Sequence, residues 1–227
     1  MGKSRRKAKF SQSTPDIIKL YPRTPNQERL VNSIHNNPIT IASGPAGTGK
    51  TVMALHSAVQ LFHKREVSKI LYLKPNVDVA YDRGVGFLPG TIEEKLSPLL
   101  APVRDNLEVF VSAGRANQMI NNKDIDIQLM EYIRGRSLRD TFVILDEAQN
   151  TTAEGVLTVI SRLEESSILV ITGDSRQKDT KKGIQNGLLD AVNRLSRMPD
   201  IVGIIEFTKD DCQRSGYLKD VLEAYDR

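Results

Sequence analysis

The chain has no tryptophan and a single cysteine, and aromatic residues make up only 5% of its 227 positions. One thiol, Cys212, forms no intrachain disulfide, and no Cys/His spacing suits zinc. So few aromatics provide no stacking platform for single-stranded nucleic acid. Apolar runs are short as well, strand-sized at most, as at 142–145, where a membrane span needs roughly 18 residues. The basic N-terminus leads into no apolar segment of the signal-peptide kind. Gly2 is followed by Arg6 where a myristoylation motif has Ser or Thr. Together these absences lead to the expectation of a cytoplasmic protein with no disulfide, no zinc and no membrane partner.

What charge there is lies unevenly. Lys and Arg number 32 against 28 Asp and Glu, a net +4, but Lys3, Arg5, Arg6, Lys7 and Lys9 fall within the first nine residues, which carry no acid. The remainder holds 27 bases and 28 acids and is almost neutral. Residues 1–16 are polar, basic and aperiodic, and are expected to be a disordered tail. It would serve either solubility or electrostatic contact with nucleic acid. Beyond it, 39% hydrophobic and 26% charged residues over this length are ordinary for one globular domain with a sizeable core.

Short Val/Ile/Leu runs at 39–42, 70–73, 141–145, 168–172 and 201–207 alternate with segments of helical spacing, such as 52–62 and 153–164, where Val156, Val159, Ile160 and Leu163 recur. Near-continuous apolar strands separated by helices predict an α/β fold with a parallel sheet covered on both faces. The stretch 74–139 breaks the rhythm with a Gly/Pro-rich loop at 82–90 and helix-like pieces at 92–110 and 127–133. It is expected to be an insertion packed on the carboxyl edge of the sheet, where open α/β sheets bind ligands.

Gly44-Pro45-Ala46-Gly47-Thr48-Gly49-Lys50-Thr51 fits G-x-x-x-x-G-K-[ST] in full, between a predicted strand and a predicted helix. Glycines let successive backbone N–H groups turn inward around phosphates, and the helix N-terminus adds partial positive charge. Lys50 is placed to reach β- and γ-phosphate oxygens, and Thr51 to offer its hydroxyl to Mg²⁺. The strand at 142–145 then ends in Asp146 and Glu147, acids that are costly there without compensation. Asp146 suits the residue that holds Mg²⁺ through its water shell, and Glu147 the base that polarises an attacking water. Capping the next helix is the plainer role for an acid pair, and Thr151 or Thr152 fills it better. A water-activating glutamate also favours hydrolysis over phosphoryl transfer to another acceptor.

Gln177, just past the strand at 168–172, is placed to sense the γ-phosphate or the lytic water. Gln27 has two readings: it closes a capping box with Thr24 and Pro25, or its amide reads the edge of adenine. Arg214 is the candidate for stabilising charge on the transferring phosphoryl group, with Arg162 as a competitor and Arg134 and Arg136 as weaker ones. His56 and His63 lie two turns apart on one helix without acidic or cysteine partners and read as structural.

SGPAGTGKTV at 43–52, GFLPGTIEEKLSP at 86–98, YIRGRSLRDTFVILDEAQNTT at 132–152, ITGDSRQKD at 171–179 and VLEAY at 221–225 together resemble the PhoH family of ATPases. That family is similar to the core of superfamily 1 helicases, which carry DEAQ-type and GDxxQ motifs. The resemblance implies a RecA-like P-loop NTPase core with ATP and Mg²⁺ as ligands. It also implies a homo-hexameric ring in which an arginine reaches the neighbour's nucleotide, and single-stranded RNA or DNA as a possible substrate. Arg214 occupies the place of the family's late arginine, though flanked here by Gln213 and Ser215. The segment 74–90 is about two residues longer than the family pattern, which leaves Asp78 or Asp82 as the counterpart of an acidic loop residue. A helicase of this superfamily carries two such domains and this sequence shows one, so completion of the site by a second copy is expected. A slow nucleotide-dependent assembly or switch protein is the alternative.

Overall fold

The computed structural model describes residues 17–75, 92–176, 186–213 and 216–217. Gln177, Arg214, the tail at 1–16 and the loop residues Asp78 and Asp82 lie outside the described residues. Six strands form one sheet: β1 (Ile39–Ser43), β2 (Lys69–Lys74), β3 (Ile125–Leu129), β4 (Thr141–Leu145), β5 (Ile168–Gly173) and β6 (Val202–Glu206). Their spatial order is β3-β2-β4-β5-β1-β6 and every pairing is parallel. All six therefore end at one edge, and the turns following β1, β4 and β5 lie side by side.

Alternation along the strands divides the core into two layers. Ile70, Tyr72, Phe142, Ile144 and Val170 point to one face, where α1 (Pro25–Asn36), α2 (Lys50–His63), α3 (Ile92–Glu108) and α4 (Ala113–Asn121) cover them. Leu71, Leu73, Val143, Leu145, Leu169 and Ile171 point to the other, beneath α5 (Ala153–Ile160) and α6 (Gly187–Leu195). Burying each of these side chains contributes about 1.5–3 kcal/mol. The expected α/β class, with helices on both faces of a parallel sheet, is what forms.

One element differs from expectation. The segment 127–133, anticipated as helical, is the end of β3 followed by a 3₁₀ turn at Met130–Ile133. Ile127, Met130 and Ile133 mimic helical spacing, but Ile125 and Ile127 alternate with Asp126 and Gln128, and β3 pairs with β2 from Ile70–Ile125 to Lys74–Leu129. Within the stretch expected as an insertion on the carboxyl edge, residues 92–129 thus give α3 and α4, packed beside α2 on one sheet face, and an edge strand.

Helix starts follow local chemistry. Thr24, Ser112, Thr152 and Asn186 each accept a backbone N–H of the first turn of α1, α4, α5 and α6. Thr152 thereby takes the cap that Asp146 and Glu147 were weighed for.

His56, on α2, is 3% exposed and structural in its contacts. Its Nε2 accepts from Leu20 N at 3.2 Å, and its ring packs edge-on against Phe110 with centroids 5.1 Å apart. Ile18 N donates to Phe110 O at 2.7 Å, so this histidine fastens the segment preceding α1 onto α2 and the end of α3. Burial pushes its pKa below the ordinary 6.5. The unfolded chain therefore takes a proton that the folded chain refuses, and stability falls as pH drops below 6.5. Urea unfolding followed by circular dichroism at pH 7 and pH 5 is expected to show a smaller loss across that interval for His56→Leu than for the unsubstituted chain.

Candidate functional site

The loop between β1 and α2 closes on its own lysine. Lys50 Nζ donates to Gly44 O and Pro45 O, both at 2.7 Å, and to Thr48 Oγ1 at 3.2 Å. It also lies 6.0 Å from the centroid of the Phe207 ring. Burial lowers the Lys50 pKa, while Asp174, Asp146 and Glu147 oppose that shift by favouring the ammonium. A cation held this way has three donors to transfer to an incoming anion.

Two glycines make the loop possible. Gly44 has φ 146°, and a Cβ there would stand 2.4 Å from Phe207 O. Gly49, at the start of α2, has φ 83°, a left-handed conformation natural to glycine. The chain after β6 buttresses the loop from outside: Phe207 N donates to Ser43 O at 2.7 Å and Gln213 N to Gly47 O at 2.9 Å. Asp211 pins that buttress to α1 by accepting from Thr208 N at 2.9 Å and Asn26 Nδ2 at 2.8 Å. Burial pushes the Asp211 pKa up, but these hydrogen bonds outweigh it and hold the carboxyl below its usual range.

Gln27 is 2% exposed and sits between the start of α1 and the phosphate loop. Its backbone N–H is capped by Thr24 Oγ1 at 3.3 Å, as the capping reading requires, but its Oε1 accepts from Arg23 N at 2.7 Å, one residue ahead of the cap. Nε2 donates to Thr48 O at 2.9 Å, so the amide ties the start of α1 to the phosphate loop.

β4 delivers the acids to the same edge. Asp146, 7% exposed, continues the strand, with its backbone N–H donating to Leu73 O at 2.9 Å. Its Oδ1 accepts from Thr51 Oγ1 at 3.0 Å and from Thr172 Oγ1 at 2.5 Å, and its Oδ2 accepts from the Tyr72 hydroxyl. Burial, and then the charge of Asp146, keep the Tyr72 hydroxyl protonated far above the ordinary tyrosine range. Glu147 follows at φ 55°, ψ 41°, a left-handed backbone that costs a non-glycine residue about 1–2 kcal/mol. Such strain gathers at functional sites. Gln149 Nε2 donates to Glu147 Oε2 at 2.5 Å while Gln149 Oε1 accepts from Asp174 N at 3.1 Å, linking the glutamate to the turn after β5. Ser175 in that turn accepts from Ser43 Oγ at 2.9 Å.

Lys50, Thr51, Asp146 and Glu147 are therefore brought to one carboxyl edge from positions about a hundred residues apart. Tyr72, Thr172, Gln149 and Asp174 join them without having been singled out. A tyrosine or threonine inside a strand has no spacing signature, and Gln149, although part of the DEAQ run, shows its link to Asp174 only through the strand order.

Arg162 is not near this edge. It lies just past the end of α5, where its backbone O accepts from Leu138 N, next to the starts of β4 and β5. Arg136 donates to Gln128 Oε1 at 2.7 Å, near the carboxyl end of the outer strand β3 and two strands away from Asp146.

The donor set suits Mg²⁺ and a nucleoside triphosphate: a hydroxyl and a carboxylate supply hard oxygens beside a glycine loop whose positive-φ backbone leads into a helix N-terminus. Among the described residues no group of three or more His, Cys, Asp or Glu forms a metal cage. Magnesium nucleotides need no such cage, since phosphates and waters fill most of the coordination shell.

The family described as PhoH-like protein matches residues 19–226. This chain belongs to the PhoH family. The PhoH-like protein of Mycobacterium tuberculosis strain H37Rv is 39% identical over 206 residues, covering 91% of this chain and 58% of that protein. Protein PhoH of Escherichia coli K12 is 34% identical over 219 residues, covering 95% of this chain and 61% of that one. The chain thus spans about three fifths of the length of these relatives. The large terminase of a thermophilic bacteriophage shares the fold, with TM-score 0.50 and 11% identity over 90% of this chain and 50% of the terminase. The UvsW helicase of bacteriophage T4 aligns over 86% of this chain and 64% of its own at 14% identity and TM-score 0.49. No helix among the described residues is long and apolar enough to cross a membrane.

With both halves of its amide bonded to backbone, Gln27 braces the PhoH phosphate loop. Gln27→Ala is expected to lower unfolding stability by about 1–3 kcal/mol, the cost of leaving buried polar groups unpaired. ATP and GTP binding, measured by fluorescence titration, are expected to weaken equally, whereas selective loss of ATP would reveal an adenine reader.

Proposed function

We propose that this PhoH-family chain is a Mg²⁺-dependent ATP hydrolase, coupling turnover to single-stranded RNA or DNA in a homo-oligomeric ring. The observation that carries the hydrolytic reading is the hydrogen bond from Thr51 to Asp146, 3.0 Å long and joining the phosphate loop to the acidic strand end. Lys50 would exchange its loop carbonyls for β- and γ-phosphate oxygens, and Thr51 and Asp146 are the residues that would hold the cation. Magnesium, when bound, neutralises charge on the phosphates and aligns them for in-line attack. Glu147, released from Gln149, orients the attacking water and draws off its proton. The strained turn at Glu147 holds its backbone at the strand's end, so that release of one side chain is enough to bring it into place.

Arg214 is assigned the role of stabilising the γ-phosphate in the transition state. The family's ring arrangement favours an arginine from the neighbouring protomer. In a second reading, Arg214 serves its own chain. Gln177 is assigned to γ-phosphate sensing on its sequence position just past β5.

Replacing Glu147 by Gln is expected to reduce phosphate release by about 10²–10⁴-fold while ATP binding persists. Mixing Glu147→Gln with Arg214→Ala protomers is expected to restore part of the lost hydrolysis, and absence of rescue assigns the arginine to its own site. Any nucleic-acid affinity should lean on the basic tail and on loops lining a ring, so deleting residues 1–9 is expected to flatten the log–log salt dependence of binding by up to about 0.7 per removed base on a single strand. An unchanged slope removes the tail from the interface.

A further inference from the structure

The Asp146 carboxylate is held from both sides of its strand. β4 lies between β2 and β5, and each neighbour contributes one hydroxyl: Tyr72 from β2 to Oδ2, and Thr172 from β5 to Oδ1. Both residues are sunk in the sheet, with Tyr72 at 2% and Thr172 at 0% exposure. Thr51, the remaining donor, stands instead at the mouth of the phosphate loop on α2. A phenylalanine would fill the space of the Tyr72 ring in the apolar layer equally well. The hydroxyl is the part that packing does not require, and a buried hydroxyl is costly unless it has a partner. Its partner is the single carboxylate of the site that lies deepest in the sheet.

We infer that Tyr72 and Thr172 are positioning residues that clamp the Asp146 carboxylate plane between β2 and β5, aiming it at the water shell of a magnesium–nucleotide complex. Thr51 is the exchangeable partner. When it turns to the cation, the two sheet hydroxyls keep the carboxylate in place, so the acid does not have to be reoriented at each turnover. This rests on the hydrolase reading above, and it adds two residues on neighbouring strands whose effect passes through Asp146.

The test uses the full chain with Tyr72→Phe, Thr172→Val, Thr172→Ser and the Tyr72→Phe/Thr172→Val pair. Three quantities are measured: binding of a fluorescent ADP in EDTA, the rise in melting temperature that Mg²⁺ adds to that of ADP alone, and the Mg²⁺ concentration for half-maximal hydrolysis. Tyr72→Phe is expected to bind ADP in EDTA as the unsubstituted chain does, yet to need about tenfold more Mg²⁺, the scale of one lost hydrogen bond to a charged group. The magnesium-dependent rise in melting temperature shrinks in parallel. Thr172→Val behaves likewise, Thr172→Ser restores the magnesium response, and the double variant falls short of the product of the single effects because both hydroxyls restrain one group. Unchanged magnesium dependence in Tyr72→Phe and Thr172→Val overturns the clamp alone. Equal weakening of nucleotide binding with and without magnesium also overturns it, by showing a general loosening of the fold. Absence of magnesium-stimulated phosphate release in the unsubstituted chain overturns the hydrolase reading together with the clamp.

Discussion

A carboxylate at the end of a buried strand must receive from the protein the hydrogen bonds it would have had in water, and the site is organised around that demand. Asp146 meets it with hydroxyls from Thr51, Thr172 and Tyr72, while its backbone N–H is taken by Leu73. These partners sit on α2, β5 and β2, so the strand order determines whether the charge is tolerable. With β4 anywhere but between β2 and β5, the hydroxyls of Tyr72 and Thr172 would not both reach the carboxylate. The same order brings the start of α2 to the acid and makes the phosphate loop and the acidic strand end a single constellation.

Lys50 poses the complementary problem. Its ammonium is buried at 8% exposure and lies near Asp146, Glu147 and Asp174, yet its hydrogen bonds go to the loop's own carbonyls and to Thr48. A positive group satisfied by neutral carbonyls is poised for exchange, because phosphate oxygens offer stronger, charge-assisted acceptors. The glycine backbone at 44 and 49, the brace from Gln27 and the buttress from Gln213 and Phe207 hold the cradle open in the meantime. Rigidity on the outside of the loop and exchangeable bonds on the inside are what a phosphate site requires.

Much of this was legible before any coordinates. The phosphate loop, the acid pair and the alternation of Val/Ile/Leu strands with helices are local patterns, and each carries its chemistry in residue type and spacing. The errors came where spacing was ambiguous. Ile127, Met130 and Ile133 have helical intervals, and only the open edge of β2 makes 125–129 a strand. Arg162 looked like a competitor for the phosphate because it follows the acidic strand in sequence, but α5 runs back along the sheet and leaves it at the amino edge.

Sequence by itself determined the fold class, the phosphate loop with Lys50 and Thr51, and Asp146 with Glu147, since strand-loop-helix signals and a carboxylate on an apolar run are local facts. Tertiary structure alone decided which residues surround them: Tyr72 and Thr172 on Asp146, Gln149 between Glu147 and Asp174, and Gln27 against Thr48. The sequence has a single cysteine and few aromatics, and the hydroxyl of one buried tyrosine is among the groups at the candidate site. The physical reason is the same throughout. Parallel pairing is set by the whole sheet, and a side chain's partner on the next strand lies dozens of residues away, beyond the reach of any local pattern.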